Sequence, residues 1–436
     1  MKRRIFATVA GMAAAACLTA AGSAQAATTK VCNSGCFFSS IQAAINAAPE
    51  GGTIIVSAGN YYENVVVNKP VTLKGVGPTT VLYPAISNPV CSPGSLCEGN
   101  ASNIILVEAN NVTIASMSLR GDNPGLTSGV VVGGEDIDAR NGIITNHLKG
   151  TYNNLTVSKV RIKGVYLRGI YASSGGTFNF NYDQVDNVQG EYASIAMFDF
   201  LGSGVFAHNK VTNANDAISA NHSTGTQFIA NTIAKSGSGV HTDNQGDSGG
   251  SADVIKSNIV RECNTDGYGI FVFVPYDSPT VESNRVTGCA VGLAAYGGAV
   301  AGEGGKFIAN NVNGTGAKTS NNSGTYGAYV TTDQLGFEFG DVNATLTGNV
   351  ISHFNTGLFV TQTTPTEGQP AGGQATVTAS PNNSFFGNGT GANGGPGTVV
   401  NAESDWWGCP KGPNMGGPCN TAVGTVTYTP FLTAKP

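Results

Sequence analysis

Between Asn209 and Asn310 one phrase recurs five times: an asparagine, a β-branched residue within two positions, a short polar stretch, then a small residue that opens an alternating strand. The asparagines are Asn209, Asn231, Asn258, Asn284 and Asn310, with steps of 22, 27, 26 and 26 residues. That period is too long for a hairpin and suits one coil of a solenoid. Weaker copies stand at Asn349-Val-Ile-Ser and, upstream, around Asn111-Val-Thr-Ile and Asn154-Leu-Thr-Val, so coils are expected over nearly the whole chain.

A parallel β-coil gives the phrase a physical cause. Each turn lays short strands beside those of the next turn, and inward Val, Ile and Leu stack into columns. Asparagine suits the bend between strands because it tolerates left-handed backbone and its amide can bond the amide one coil away. Cys263 and Cys289 each follow a repeat asparagine by five residues, placing them 26 apart. Neighbouring strands lie ~4.8 Å apart, within disulfide reach, so a Cys263–Cys289 bridge is expected.

Lys2, Arg3 and Arg4 precede an apolar run ending near Ala21, and Ala24-Gln25-Ala26 is a small-x-small cleavage signal. Residues 1–26 therefore read as a secretory signal peptide, leaving 27–436 as a single β-helical domain, with caps at about 36–50 and 400–436. Without Cys17, eight cysteines remain. Their expected pairs are Cys32–Cys36, Cys91–Cys97, Cys263–Cys289 and Cys409–Cys419, which implies an oxidising destination: secreted, periplasmic or at the cell surface. No later segment is apolar enough to span a bilayer as a helix. Removing three leader cations takes Lys+Arg from 22 to 19 against 27 Asp+Glu, a net charge of −8 that argues against a nucleic-acid partner. A monomer is expected. About 400 residues at one coil per ~25 give roughly fifteen coils and a rod on the order of 70 Å long.

A solenoid needs covers at its open ends. Ser39-Ser40 followed by Ile41, Ala44, Ile45 and Ala48 at helical spacing supplies a short N-terminal plug. The Gly-, Pro- and Thr-rich stretch from Thr363 to Gly397 reads as a long lateral loop around a short strand at Ala375–Thr378.

The segment Ser40-Ile-Gln-Ala-Ala-Ile45, followed by Gly59-Asn-Tyr-Tyr-Glu-Asn-Val65 and Leu73-Lys-Gly75, resembles the N-terminal part of the pectin-lyase-like superfamily. Asp405-Trp406-Trp407-Gly408 and the Val426 to Leu432 segment resemble its bacterial C-terminal parts. The resemblance implies an all-β fold, a right-handed single-stranded parallel β-helix with a short N-terminal capping helix. It does not select an activity, because members include lyases, polygalacturonases, methylesterases, epimerases and binding proteins. Of a polygalacturonase's motifs, Arg161-Ile162-Lys163 precedes Asn264-Thr265-Asp266, the wrong order, and the paired aspartates and Gly-His-Gly are missing. The Asp-Pro-His triplet of alginate-type epimerases and the Asp-Phe-Ile-Phe-Gly stretch of pectin methylesterases are also missing. A lyase needs less: a base beside the uronic carboxylate, and cations or Ca²⁺ to neutralise it.

Two surfaces suit such chemistry. Lys149 to Arg168 holds five basic residues and no acid, and Arg161, Lys163 and Arg168 are candidate carboxylate partners, with Lys163 an alternative base. The second surface follows from the small residues Ala217, Gly239, Gly269, Gly292 and Gly357. If Ile218, Val240, Ile270, Leu293 and Leu358 point inward, Ser219, His241, Phe271, Ala294 and Phe359 point outward, followed by Asn221, Asp243, Phe273 and Tyr296. Exposed Phe271, Phe273 and Tyr296 would form a sugar-stacking platform, with Asn221 binding hydroxyls. His241 is the candidate for proton transfer, with Asp216 or Asp243 orienting it or holding Ca²⁺. Glu135, Asp136 and Asp138 form a further candidate Ca²⁺ loop. The chain is thus expected to bind polysaccharide, acidic in kind, as a lyase or as a non-catalytic adhesin or envelope protein.

Overall fold

Stacking in register is what the repeat demands, and it is what the chain does. The computed structural model describes residues 28–243, 250–298, 302–320, 323–333, 340–363 and 373–436. The expected signal segment, with Cys17, lies outside the described residues. Each coil contributes a strand to a first face, turns at an asparagine corner, adds a short strand to a second face, and turns at a small residue onto a third. One complete coil is Val254–Lys256, Ile259–Arg261 and Tyr268–Phe273; the next is Thr280–Glu282, Arg285–Thr287 and Val291–Tyr296. The first face is a 15-stranded sheet, matching the expected coil number. The other faces merge into one 23-stranded sheet, because Lys210–Asn221 and Thr232–Asp243 run unbroken around the corner. Pairing between coils is parallel; one small antiparallel ladder, Val131–Val132 with Glu135–Asp136, forms an excursion between the second and third faces.

Alternation then sorts the side chains. Ile218, Val240, Ile270 and Leu293 pair in one file of the third face and are all fully buried. Val211, Ile233, Val260, Val286 and Val312 do the same on the second. The first face contributes Phe180, Phe206, Phe228 and Ile255, with Phe206 stacked on Phe228 at 5.3 Å. Each such side chain gives about 1.5–3 kcal/mol on burial, spread evenly along the rod. At the third-face corner the coils leave no room for a side chain. A Cβ on Gly292 would lie 2.2 Å from Val312 and 2.6 Å from the Gly327 carbonyl, which is why small residues recur there.

The asparagines form the expected ladder, and it is longer than the repeat indicates. Asn209, Asn231, Asn258, Asn284, Asn310 and Asn349 each donate their backbone N–H to the side-chain Oδ1 of the next rung at 2.8–2.9 Å, ending on Asn383. Their Nδ2 groups reach back to a carbonyl of the preceding coil, as Asn258 does to Phe228 at 2.8 Å. Both ends are aspartates. Asp183 donates its N–H to Asn209 and accepts Val160 N–H, while Asp405 Oδ1 accepts Asn383 N–H at 2.7 Å and its Nδ2 at 3.1 Å. Asn111 and Asn154 are not rungs of this ladder. They pair with each other at 2.8 Å on an exposed corner that opens the first-face strands, where left-handed backbone also favours asparagine.

The N-terminal plug is the helix Ile41–Ala47, capped by Ser40 and by Glu63, whose carboxylate accepts the Ile41 and Gln42 N–H groups at 2.8 and 3.0 Å. Ile41, Ala44 and Ile45 face the core. At the far end Trp407 is fully buried against Phe385 and Tyr428. All four expected disulfides are present. Cys263 and Cys289 have Cα atoms 4.7 Å apart, one strand spacing. The short strand expected within the stretch from Thr363 to Gly397 is Ala375–Ala379, and two further coil strands follow it, Ser384–Phe386 and Thr390–Gly394. The expected lateral loop falls on residues 364–372, which lie outside the described residues.

Asp405 Oδ2 is buried without a hydrogen-bond partner among the described residues, and burial pushes its carboxyl from the ordinary 3.8 up to about 8, against two hydrogen bonds from Asn383 that lower it. A raised folded-state value means that this rung is most stable when protonated. Its contribution is full below 3.8 and declines as pH rises through about 8. Asp405→Asn, which supplies an N–H where the acid needs a proton, is therefore expected to raise the melting temperature over wild type by a margin that widens from acid to alkaline pH. Thermal unfolding followed by circular dichroism checks this; an offset independent of pH would refute the protonated rung.

Candidate functional site

The third face carries the polar and aromatic residues singled out in the sequence, in two outward files and, beside them, a third that joins Asn221, Asp243 and Phe273. In one, Tyr171, Phe198, Ser219, His241, Phe271 and Ala294 pair in succession, continuing through Tyr329 to Phe359. In the other, Arg168, Ile195, Asp216, Ser238, Tyr268, Val291 and Tyr326 pair in succession. The two coils built from the long bent strands are therefore polar, and they are flanked on both sides by apolar rungs.

Within this polar island His241 Nδ1 lies 3.1 Å from Asp216 Oδ2, and Ser238 donates to Asp216 Oδ1 at 2.5 Å. The imidazole stacks on Phe271 at 4.7 Å and meets Phe273 edge-on. Its Nε2 is buried and has no hydrogen-bond partner among the described residues. Burial pulls the His241 pKa down, but the Asp216 hydrogen bond and charge, with the charge of Asp243, outweigh it and hold the group above the ordinary histidine value. Asn221 and Asp243 occupy one register position at the edge of the island, and Ser219 donates to Asn221 Oδ1 at 2.8 Å. Asp216 thus joins Ser238 and His241 through its two carboxylate oxygens in one hydrogen-bonded cluster.

The aromatic platform is not where the sequence reading puts it. Phe271, Phe273 and Tyr296 do point away from the coil interior, yet they are buried, in one cluster with Val274, Val291 and Ala294 and packed by Tyr268, Tyr326 and Tyr329. Tyr268 and Tyr296 share a hydroxyl hydrogen bond at 2.9 Å. Rings on adjacent rungs are one strand spacing apart and cover one another, so an outward direction does not mean exposure. A matching cluster of Tyr171, Ile195 and Phe198 closes the other side. The most exposed rings among the described residues are others: Phe37, Tyr62 stacked on Tyr83, Tyr182 on His208, and Tyr192.

The basic window is also divided. Arg161 and Lys163 lie on the second face, across a corner from His241. Lys163 is held in an ion pair with Glu135 at 2.6 Å. Arg168 reaches the third face, where it lies over the Phe198 and Tyr171 rings at 4.9 and 5.6 Å and donates to the Ala193 carbonyl. Its burial lowers its pKa to about 10, and it is packed rather than offered to a ligand. The acidic loop does not converge either. Glu135 holds Lys163, Asp136 accepts Ser128 at 2.5 Å, and Asp138 accepts Asn123 N–H at 2.9 Å. Among the described residues no three His, Cys, Asp or Glu side chains gather as a metal site.

Sequence reading missed Ser238, Tyr268, Tyr326 and Tyr329. Gly327-Ala328-Tyr329 repeats the phrase Gly269-Ile270-Phe271, and Ser238 and Tyr268 stand three residues before His241 and Phe271, so the same alignment extended by one file would have found them.

A family model described as a right-handed beta helix region matches residues 141–312. A cell surface glycoprotein of Methanothermus fervidus is 33% identical over 150 residues, 34% of this chain and 20% of that protein, so the match spans a fifth of its relative's length. Among solved structures, the A-module of the mannuronan C-5 epimerase AlgE6 from Azotobacter vinelandii superposes with a TM-score of 0.58 at 16% identity, covering 89% of this chain and 94% of that one. The chain folds as a right-handed parallel β-helix, the fold it shares with that epimerase module.

Two outcomes follow. Phe271→Ala should lower unfolding free energy by about 3–5 kcal/mol, as loss of a buried ring does, whereas a solvent-exposed platform would tolerate it; chemical denaturation distinguishes these. Asp216→Asn should lower the His241 pKa, read by NMR titration of the ring, and an unchanged value would show that Asp216 does not support the imidazole.

Proposed function

We propose that the protein is an extracellular polysaccharide-binding β-helix whose ligand lies across the third-face island of Asp216, Ser238, His241, Asn221 and Asp243. The carrying observation is the confinement of half-buried polar groups to two adjacent coils between two aromatic clusters. Such a strip offers hydroxyl partners at its centre and apolar edges for sugar C–H faces. Four disulfides and a cell-surface glycoprotein among its relatives support an extracytoplasmic location. The similar fold of an enzyme named for mannuronan supports a polysaccharide ligand.

The Asp216–His241 pair favours a second reading, proton abstraction beside a uronic carboxylate, as a lyase would perform it. In that case the neutral imidazole is the active form, and its raised pKa places the rise in activity above the ordinary histidine range. With the purified protein on pectate, alginate and glycosaminoglycans, lyase action is expected to produce absorbance from a new C=C bond, lost in His241→Ala. Saturable binding without product, kept in that variant, would reject the lyase reading and leave the binding protein. No binding across a wide glycan panel would reject both.

A further inference from the structure

The second face has a chemistry unlike the third. Its inward file is entirely apolar, and its two outward files carry Arg161, Lys210 and Arg285 in one and Arg120, Lys163 and Arg261 in the other. Six cations face one strand acid, Asp186, which is taken up by Thr212 and Asn213 at 2.6 and 2.7 Å. The whole chain runs the other way, with 27 acids against 22 cations, so the basic wall is a local segregation of charge. Arg161, Lys210 and Arg285 are exposed and make no ion pair among the described residues.

Toward the C-terminal part of this wall the surface sinks into a groove of about 380 Å³. Ile259 gives it an apolar patch, Arg285, Thr287 and Thr315 supply donors, and Arg261 enters with one guanidinium nitrogen on Glu262, which also lines the groove. Arg285 pairs in register with Ile259, and Arg261 with Thr287, so the two guanidiniums stand on adjacent rungs, two positions apart along the strand. The Cys263–Cys289 disulfide ties those same two coils just beyond the groove, and Cys263 N–H bonds the Gly288 carbonyl at 3.1 Å. A cross-link between the coils that bear the two arginines fixes their spacing before any ligand arrives, which reduces the entropy cost of binding.

We propose that this groove and the basic files leading to it form a second binding site, for a carboxylated polysaccharide, separate from the third-face island. The volume is that of a small-ligand pocket, and guanidinium pairs with carboxylate in a two-pronged geometry. Charge density selects the occupant. Arg161 and Lys210 are two rungs apart and Lys210 and Arg285 three, or roughly 10 and 14 Å at the strand spacing. Duplex nucleic acid presents a charge every ~1.7 Å, far denser than this wall neutralises. One carboxylate per sugar unit fits sparse cations with an apolar patch between them. The choice of a glycan rests on the polysaccharide reading above; the location does not.

The test is calorimetric titration of the full chain with oligogalacturonate and oligomannuronate, with a neutral oligosaccharide of equal length and inorganic phosphate as controls. Arg261→Gln/Arg285→Gln is expected to weaken binding of an acidic oligosaccharide at least tenfold and to flatten its salt dependence, with an unchanged circular dichroism spectrum. Asp216→Asn should retain the second-face component. Equal affinity in the double variant would overturn the proposal, as would phosphate binding as tightly as the oligouronates. If only neutral glycans bind, the second-face site falls while the polysaccharide reading stands; if acidic binding is lost in Asp216→Asn alone, the third face is the acidic site and this proposal fails.

Discussion

Register between coils governs everything else in this protein, and the buried amide ladder is what enforces it. An asparagine at each corner donates forward through its backbone and backward through its side chain, so each rung satisfies groups that burial would otherwise leave unpaired. A slip of one residue would break the ladder and turn an entire interior file outward. Polar satisfaction and hydrophobic packing therefore select the same alignment, and that agreement lets a chain with 11% charged residues specify a long rod without helical scaffolding.

The interior was legible because its rules are local. Val240, Ile270 and Leu293 stack as alternation requires, and Cys263 meets Cys289 because the equal offset from Asn258 and Asn284 fixes their heights. Where the phrase is diluted, reading from sequence was less secure. Asn111 and Asn154 carry the right residue on the wrong corner, and Asn383 was obscured because its coil is rich in the same Gly and Asn that mark loops.

The candidate site was legible in direction but not in exposure. Alternation correctly sends His241, Phe271, Phe273 and Tyr296 away from the axis, and Asp216 does meet His241. Whether an outward ring is wet depends on its neighbours one strand spacing above and below, and those come from coils some two dozen residues away. Tyr326 and Tyr329, absent from the alignment, help to pack the platform. Lys163 was misjudged for a related reason: the acid-free window around it in sequence says nothing of Glu135, which an excursion brings onto it.

The resulting rod divides its chemistry by face. Corners are occupied by the ladder and by glycines whose neighbours forbid a Cβ, so variation that retains the fold is confined to outward positions. On the third face those positions hold the hydrogen-bonded Asp216, Ser238 and His241 between aromatic clusters; on the second they hold sparse cations, with Arg161, Lys210 and Arg285 exposed. The separation has an electrostatic consequence. Burial favours the neutral His241 ring, the Asp216 hydrogen bond and the charges of Asp216 and Asp243 outweigh it, and Arg161 and Arg285 stand around a corner from that balance. A carboxylated chain can then be held on one wall without disturbing the titration of the other.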